Sequence, residues 1–111
     1  MSAFPVTRIH GASVLELPER VSVSNTRELL DAGLGALASG TGPVVLDLRG
    51  TQTIDSTALG AIVQLSRNAS SKGRDLVLLA PRDGVRRVLA ITRLDQVLPI
   101  RSELTAPGAI S

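Results

Sequence analysis

Val44-Val45-Leu46-Asp47-Leu48 is a compact run of β-branched and aliphatic residues, preceded by Ser39-Gly40-Thr41-Gly42-Pro43 and followed by the polar residues 49–53. A run this short, with so little polar alternation, fits a strand buried on both faces, the position of a central strand in a parallel sheet. Beyond the polar segment, Ile54-Asp55-Ser56 leads into a stretch in which Ala58, Ile62, Leu65 and Ala69 recur at helical spacing. That stripe predicts a helix ending near Lys72-Gly73. A second near-continuous aliphatic run, residues 75–80, follows, and a strand, a helix and a strand in succession make a βαβ unit.

The same alternation extends in both directions. Upstream, the apolar runs 4–9 and 12–17 are separated by His10-Gly11 and read as a β-hairpin closed by Pro18. Ser24 or Asn25 can then cap a helix whose Leu29, Leu30, Leu34 and Leu37 follow helical spacing. Downstream, Pro81-Arg82-Asp83-Gly84 opens a helix marked by Val85, Val88, Leu89 and Thr92, and Val97-Leu98-Pro99-Ile100 reads as a short last strand. The predicted order is β-β-α-β-α-β-α-β. This is an α/β fold: a mixed, mostly parallel sheet of four to five strands with helices packed against it. One domain is expected over residues 1–101, and the tail, residues 102–111, is expected to hold at most one turn of helix before Pro107-Gly108 frays it.

The chain has 111 residues, which suits a single hydrophobic core. With 43% apolar and 20% charged residues it has the composition of a folded globular domain. Its apolar runs are far shorter than a membrane span and its first residues lack a basic signal region, so a soluble, cytoplasmic protein without direct membrane insertion is expected. The absence of cysteine removes thiol chemistry and cysteine-based zinc sites, and His10 is the one histidine, so no metal site and no cofactor is expected. A net charge of +2 and 1% aromatic content leave neither a dense basic patch nor stacking platforms, which argues against nucleic-acid binding. Arg82, Arg86, Arg87 and Arg93 are read as solvated positions around the third helix. No Gly-Lys-Ser or Gly-Lys-Thr occurs for a phosphate loop, and Gly33 and Gly35 sit within a helix pattern and do not follow a strand. His10 falls in a hairpin turn, away from any serine that it could activate. No catalysis is expected.

What stands out is Asp55-Ser56-Thr57, three polar residues between the central strand and the second helix. As local structure they are a helix N-cap, a side chain accepting backbone N–H bonds at a worth of about 1 kcal/mol. As chemistry, a serine exposed at a helix N-terminus beside a carboxylate is a candidate for reversible phosphorylation.

Val44-Val45-Leu46-Asp47-Leu48 followed by Ile54-Asp55-Ser56-Thr57-Ala58-Leu59-Gly60 resembles the signature of bacterial anti-sigma factor antagonists, which are single STAS domains. The resemblance continues through Lys72-Gly73-Arg74-Asp75-Leu76-Val77-Leu78-Leu79 and Val85-Arg86-Arg87-Val88-Leu89-Ala90-Ile91-Thr92-Arg93-Leu94-Asp95, roughly residues 10–101. It implies a partner switch. The unphosphorylated protein binds an anti-sigma factor, usually itself an ATP-dependent serine kinase, and so frees a sigma factor. Phosphorylation of the serine at the motif position, Ser56, releases the complex until a serine phosphatase restores it. The partner-binding face implied by the resemblance comprises Asp55, Ser56, Thr57, Ser22, Asn25, Ala61 and Gln64, with Asp55 contacting the partner or orienting the serine and Thr57 a neighbouring hydroxyl and candidate secondary site.

Two positions depart from the family pattern. Ala58 stands where glycine is usual, which predicts a stiffer or shifted helix start. Ser22, in Glu19-Arg20-Val21-Ser22, stands where the family commonly has aspartate. A competing reading keeps the fold and changes the role: a small STAS subunit of a membrane lipid or anion transporter, with Ser56 only a helix cap. A nucleotide-binding or enzymatic use of Asp55 and Ser56 is a third.

Overall fold

The structure is a computed structural model, described here over residues 4–103. Its main sheet has five strands in the order β1-β2-β4-β6-β7, formed by β1 (Val6–Ile9), β2 (Ala12–Glu16), β4 (Val44–Asp47), β6 (Leu76–Leu79) and β7 (Ile100–Arg101). β1 and β2 are antiparallel, and every other pairing is parallel. The hairpin between them is a two-residue loop in which His10 and Gly11 both have positive φ, 52° and 81°, as the right-handed twist of paired strands favours. β4 lies in the middle with all four residues buried, in agreement with its unbroken aliphatic run.

Three helices supply the cover: α1 (Thr26–Ala38), α2 (Ser56–Ser71) and α3 (Asp83–Ile91). Their inward stripes meet one face of the sheet. Leu29, Ala36 and Leu37 of α1, Ala58, Ile62, Leu65 and Ala69 of α2, and Val85 and Leu89 of α3 share one cluster with Leu15, Val44, Leu46, Leu76 and Leu78. Alternate residues of the same strands, Ala12, Val14, Val45 and Leu79, form a second buried cluster on the opposite face. α1 and α2 pack closely because residue 33 is glycine: a Cβ there would stand 2.6 Å from Leu65 Cδ2.

Three features differ from the sequence expectation. A second, two-stranded parallel ribbon pairs β3 (Arg20–Val21) with β5 (Thr53–Ile54), where only loop was expected. Each strand has one buried apolar residue, Val21 or Ile54, too short a signal for periodicity to register. The last strand is displaced. A 3-10 turn spans Leu94–Gln96, Val97 is 72% exposed, and pairing with β6 begins only past Pro99. Proline has no N–H to give the ladder, so its carbonyl, accepting from Leu78 N–H at 2.9 Å, is the first group to join it. Asn25 holds the N-cap position of α1 without a side-chain cap bond, its amide being used within the preceding loop. The expected frayed tail falls mostly on residues 104–111, outside the described residues.

Candidate functional site

The site is assembled where the chain leaves two adjacent parallel strands, β2 and β4, and crosses to α1 and α2. The ribbon of β3 and β5 holds these two crossings together. Gln52 and Thr53 N–H both donate to the Glu19 carbonyl, at 2.7 and 3.2 Å, and Asp55 N–H donates to the Val21 carbonyl at 3.1 Å. Buried Thr51 adds a side-chain tie, its Oγ1 donating to the Pro18 carbonyl at 2.8 Å. Residues 22–25 are thereby brought to the start of α2 and meet Asp55 through the Val23 N–H, 32 positions away in sequence.

Asp55 is the N-cap of α2, in extended conformation, and its Oδ1 accepts the Ala58 N–H at 2.8 Å. Its Oδ2 accepts the Val23 N–H at 3.1 Å. Residues 22–25 are otherwise bonded among themselves and to their flanks: Ser22 N–H to Asn25 Oδ1 at 2.9 Å, Asn25 Nδ2 to the Arg20 carbonyl at 2.8 Å, and Thr26 Oγ1 to the Ser22 carbonyl at 2.6 Å. The loop thereby presents Val23, 70% exposed, beside the start of α2.

Ser56 is the first residue of α2 and is exposed, as is Thr57. Since Asp55 performs the capping, the Ser56 hydroxyl is spared from it, and among the described residues it has no hydrogen-bond partner. Ala58 is fully buried, so its methyl fills core space that a glycine would leave open, and the helix starts in register with the Asp55 cap. Gln64 is exposed two turns further along α2. Ala61, expected on the partner-facing surface, points instead into the main core at 4% exposure, because it falls on the inward stripe with Ala58, Ile62 and Leu65.

A second carboxylate lies at the end of β4. Burial works to raise the Asp47 carboxyl, but Arg49 outweighs it with Nε and Nη2 bonds at 3.0 and 2.8 Å, a backbone N–H bond at 3.0 Å and its charge, holding the group below the usual carboxylate range. The partner guanidinium is raised in turn by that hydrogen bond and charge. This pair closes the strand end and touches neither Ser56 nor its loop. Two hollows of about 270 and 280 Å³, one lined by Ile9, Arg49, Leu79, Ser102 and Glu103 and the other by Val63, Ser66, Arg67, Leu94, Val97 and Leu98, also exclude the site residues. Among the described residues no group of three or more His, Cys, Asp or Glu could hold a metal ion, and no helix is long and apolar enough to cross a membrane.

Comparison with known proteins gives this geometry its setting. An anti-sigma factor antagonist homologue of Thermotoga neapolitana is 39% identical over 64 residues, 58% of this chain and 57% of that protein. The chain thus matches 57% of the length of the curated relatives. A crystal structure of an anti-sigma factor antagonist from Thermotoga maritima superposes with a TM-score of 0.81 at 28% identity, over 91% of this chain and 87% of that one. The fold is shared as well by the anti-sigma factor antagonist SpoIIAA in its unphosphorylated form, with a TM-score of 0.70 at 16% identity over 93% of this chain and 90% of that one. SpoIIAA from Bacillus has also been solved in the phosphorylated form, with a TM-score of 0.69 at 16% identity over 91% of this chain and 93% of that one. The family model described as Mlab, STAS domain, matches residues 6–101, which takes in the whole five-stranded sheet and all three helices, and the chain belongs to the STAS domain family.

Proposed function

We propose that this protein is an anti-sigma factor antagonist whose binding face is the N-terminus of α2 with the 22–25 loop, and whose switch is phosphorylation of Ser56. The observation that carries the reading is the division of labour at the helix start: Asp55 supplies the cap, and Ser56, one residue on, keeps an exposed hydroxyl outside that hydrogen-bonding scheme. Had Ser56 been the cap, its modification would have cost the helix its first turn. As placed, it can take a phosphate while the fold stays intact. The relatives named as anti-sigma factor antagonists, and the phosphorylated and unphosphorylated forms of SpoIIAA, support the same assignment.

The physics of release is electrostatic. A phosphate adds about −1.5 to −2 charges to a surface that otherwise meets the partner through serine, threonine, asparagine and valine side chains. Placed about 6 Å from one partner carboxylate, that charge costs on the order of 1 to 5 kcal/mol between water-like and surface dielectric values. Binding weakens by roughly ten-fold to several thousand-fold. The partner is an anti-sigma factor with serine kinase activity, and a serine phosphatase completes the cycle. The chain itself contributes a docking surface and an acceptor hydroxyl, with no bond-making chemistry of its own.

The test is capture from native lysate on three baits, wild type, Ser56→Ala and Ser56→Asp, followed by incubation of the captured kinase with ATP. Retention of a serine-kinase-type anti-sigma factor by wild type and Ser56→Ala, its loss from Ser56→Asp, and ATP-dependent phosphate on Ser56 alone are expected. Identical capture on all three baits contradicts the switch, and membrane ATPase components in that common set would favour the transporter-subunit role.

A further inference from the structure

Asp55 faces two loops at once. One carboxylate oxygen holds Ala58 N–H at 2.8 Å in the first turn of α2, and the other holds Val23 N–H at 3.1 Å across 32 positions of sequence. Its own N–H is fixed to the Val21 carbonyl. The polar groups of residues 22–25 otherwise bond locally, Ser22 Oγ to Ser24 Oγ and the Asn25 amide to Ser22 and Arg20. Among the described residues, the Val23 bond is therefore the one hydrogen bond joining residues 22–25 to α2 or its cap.

We propose that Asp55 is a positioning residue through which the state of Ser56 governs the loop that carries Val23. The proposal rests on Ser56 being a modified residue and adds how the modification reaches the rest of the binding face. A carboxylate has two acceptor oxygens, and here each is committed to a backbone N–H on a different element. A phosphate on the next residue brings more negative charge and three further acceptor oxygens to the same helix start, where the first-turn N–H groups attract anions. Carboxylate and phosphate then compete for one small set of donors while repelling each other. The Val23 bond is the longer and more exposed of the two that Asp55 makes, so it is the one to break. Loss of that bond leaves the loop without its fixed orientation, and Val23, an apolar side chain already 70% exposed for a partner, is no longer preorganised for binding. Phosphorylation thus acts twice, by charge at Ser56 and by release of a contact on a different loop.

The test needs only the full chain. Exchange of the Val23 amide with water is measured by NMR in wild type, in Asp55→Asn and in a chain carrying phosphoserine at position 56 from synthesis. Asp55→Asn keeps one carbonyl oxygen for the Ala58 cap but replaces the second acceptor with an NH2 group that cannot accept. Asp55→Ser, with a cap oxygen too short to reach Val23, is the second variant. Both variants and the phosphoserine chain are expected to speed Val23 exchange by about 3- to 10-fold, the scale of one hydrogen bond, while the Leu48 and Leu59 amides are unchanged. Unchanged Val23 exchange in both variants would overturn the positioning role. Faster exchange in the variants without it in the phosphoserine chain would overturn the coupling to Ser56. The partner-switch reading fails separately, by phosphoserine leaving the affinity for the anti-sigma factor unaltered while Val23 is released.

Discussion

Asp47 and Asp55 each follow or end a strand, yet they hold different things in place. Asp47 is bound by Arg49 and sits below the ordinary carboxylate range, so its pairing stabilises the fold at pH values above that range. The folded pKa is the lower one. The contribution is therefore present above about pH 4 and disappears as pH falls through the folded value. Asp47→Asn should lower the unfolding free energy at pH 7 by about 1 kcal/mol, because Arg49 is mostly in water. In urea titrations the gap between variant and parent should narrow as pH falls below about 4 and close only once pH passes below the lowered folded-state value. Two glycines of α1 give a second contrast. A Cβ at Gly35 meets nothing within 4 Å, so Gly35→Ala should stabilise by about 0.5–1 kcal/mol through helix propensity alone. Gly33→Ala should destabilise by about 1 kcal/mol or more, since Leu65, fully buried, has to move aside. Thermal denaturation of the two variants should shift in opposite directions. Both glycines look alike in sequence, and only the closeness of α2 separates them.

At the scale of elements, the helices and the four longer strands were legible because each presents several apolar residues at a fixed period, as Ala58, Ile62, Leu65 and Ala69 do in α2. The β3–β5 ribbon was not, since two residues per strand make no period, and neither was the shift of the last strand past Pro99. Arg74 shows a further kind of illegibility. No sequence pattern marks its role, yet its guanidinium donates to the carbonyls of Ala36, Leu37 and Ser39 at 3.1, 2.7 and 3.2 Å and to Gly42 through Nε at 2.7 Å and through Nη2. These include last-turn carbonyls of α1 that have no partner within the helix, at the negative end of its dipole. Arg74→Ala should cost about 2–3 kcal/mol in chemical denaturation, and Arg74→Lys should recover less than half, because an ammonium cannot fork across carbonyls of two segments. Equal stability of all three chains would show that the carbonyls are satisfied by water at no cost.

For the whole molecule, the fold class and the neighbourhood of Ser56 followed from one buried strand and the polar triplet after it. What the chain concealed was the company that triplet keeps. Val23, and with it the 22–25 loop, reaches Asp55 only because β2 and β4 are adjacent and the ribbon ties their exits together. Ala61 shows the reverse error, a position inferred to face a partner whose helical phase turns it into the core. The result is a sheet and helix layer that presents two cross-linked loops and, at Ser56, a hydroxyl outside the capping bonds. The central claim is that this hydroxyl controls binding, and titration calorimetry tests it most directly. The captured serine-kinase-type anti-sigma factor is titrated with the wild-type chain, with Ser56→Ala and with the chain carrying phosphoserine at position 56. The account predicts that Ser56→Ala binds within about three-fold of wild type and that phosphoserine weakens binding by at least about ten-fold. Equal affinities for the phosphorylated and unmodified chains would contradict it.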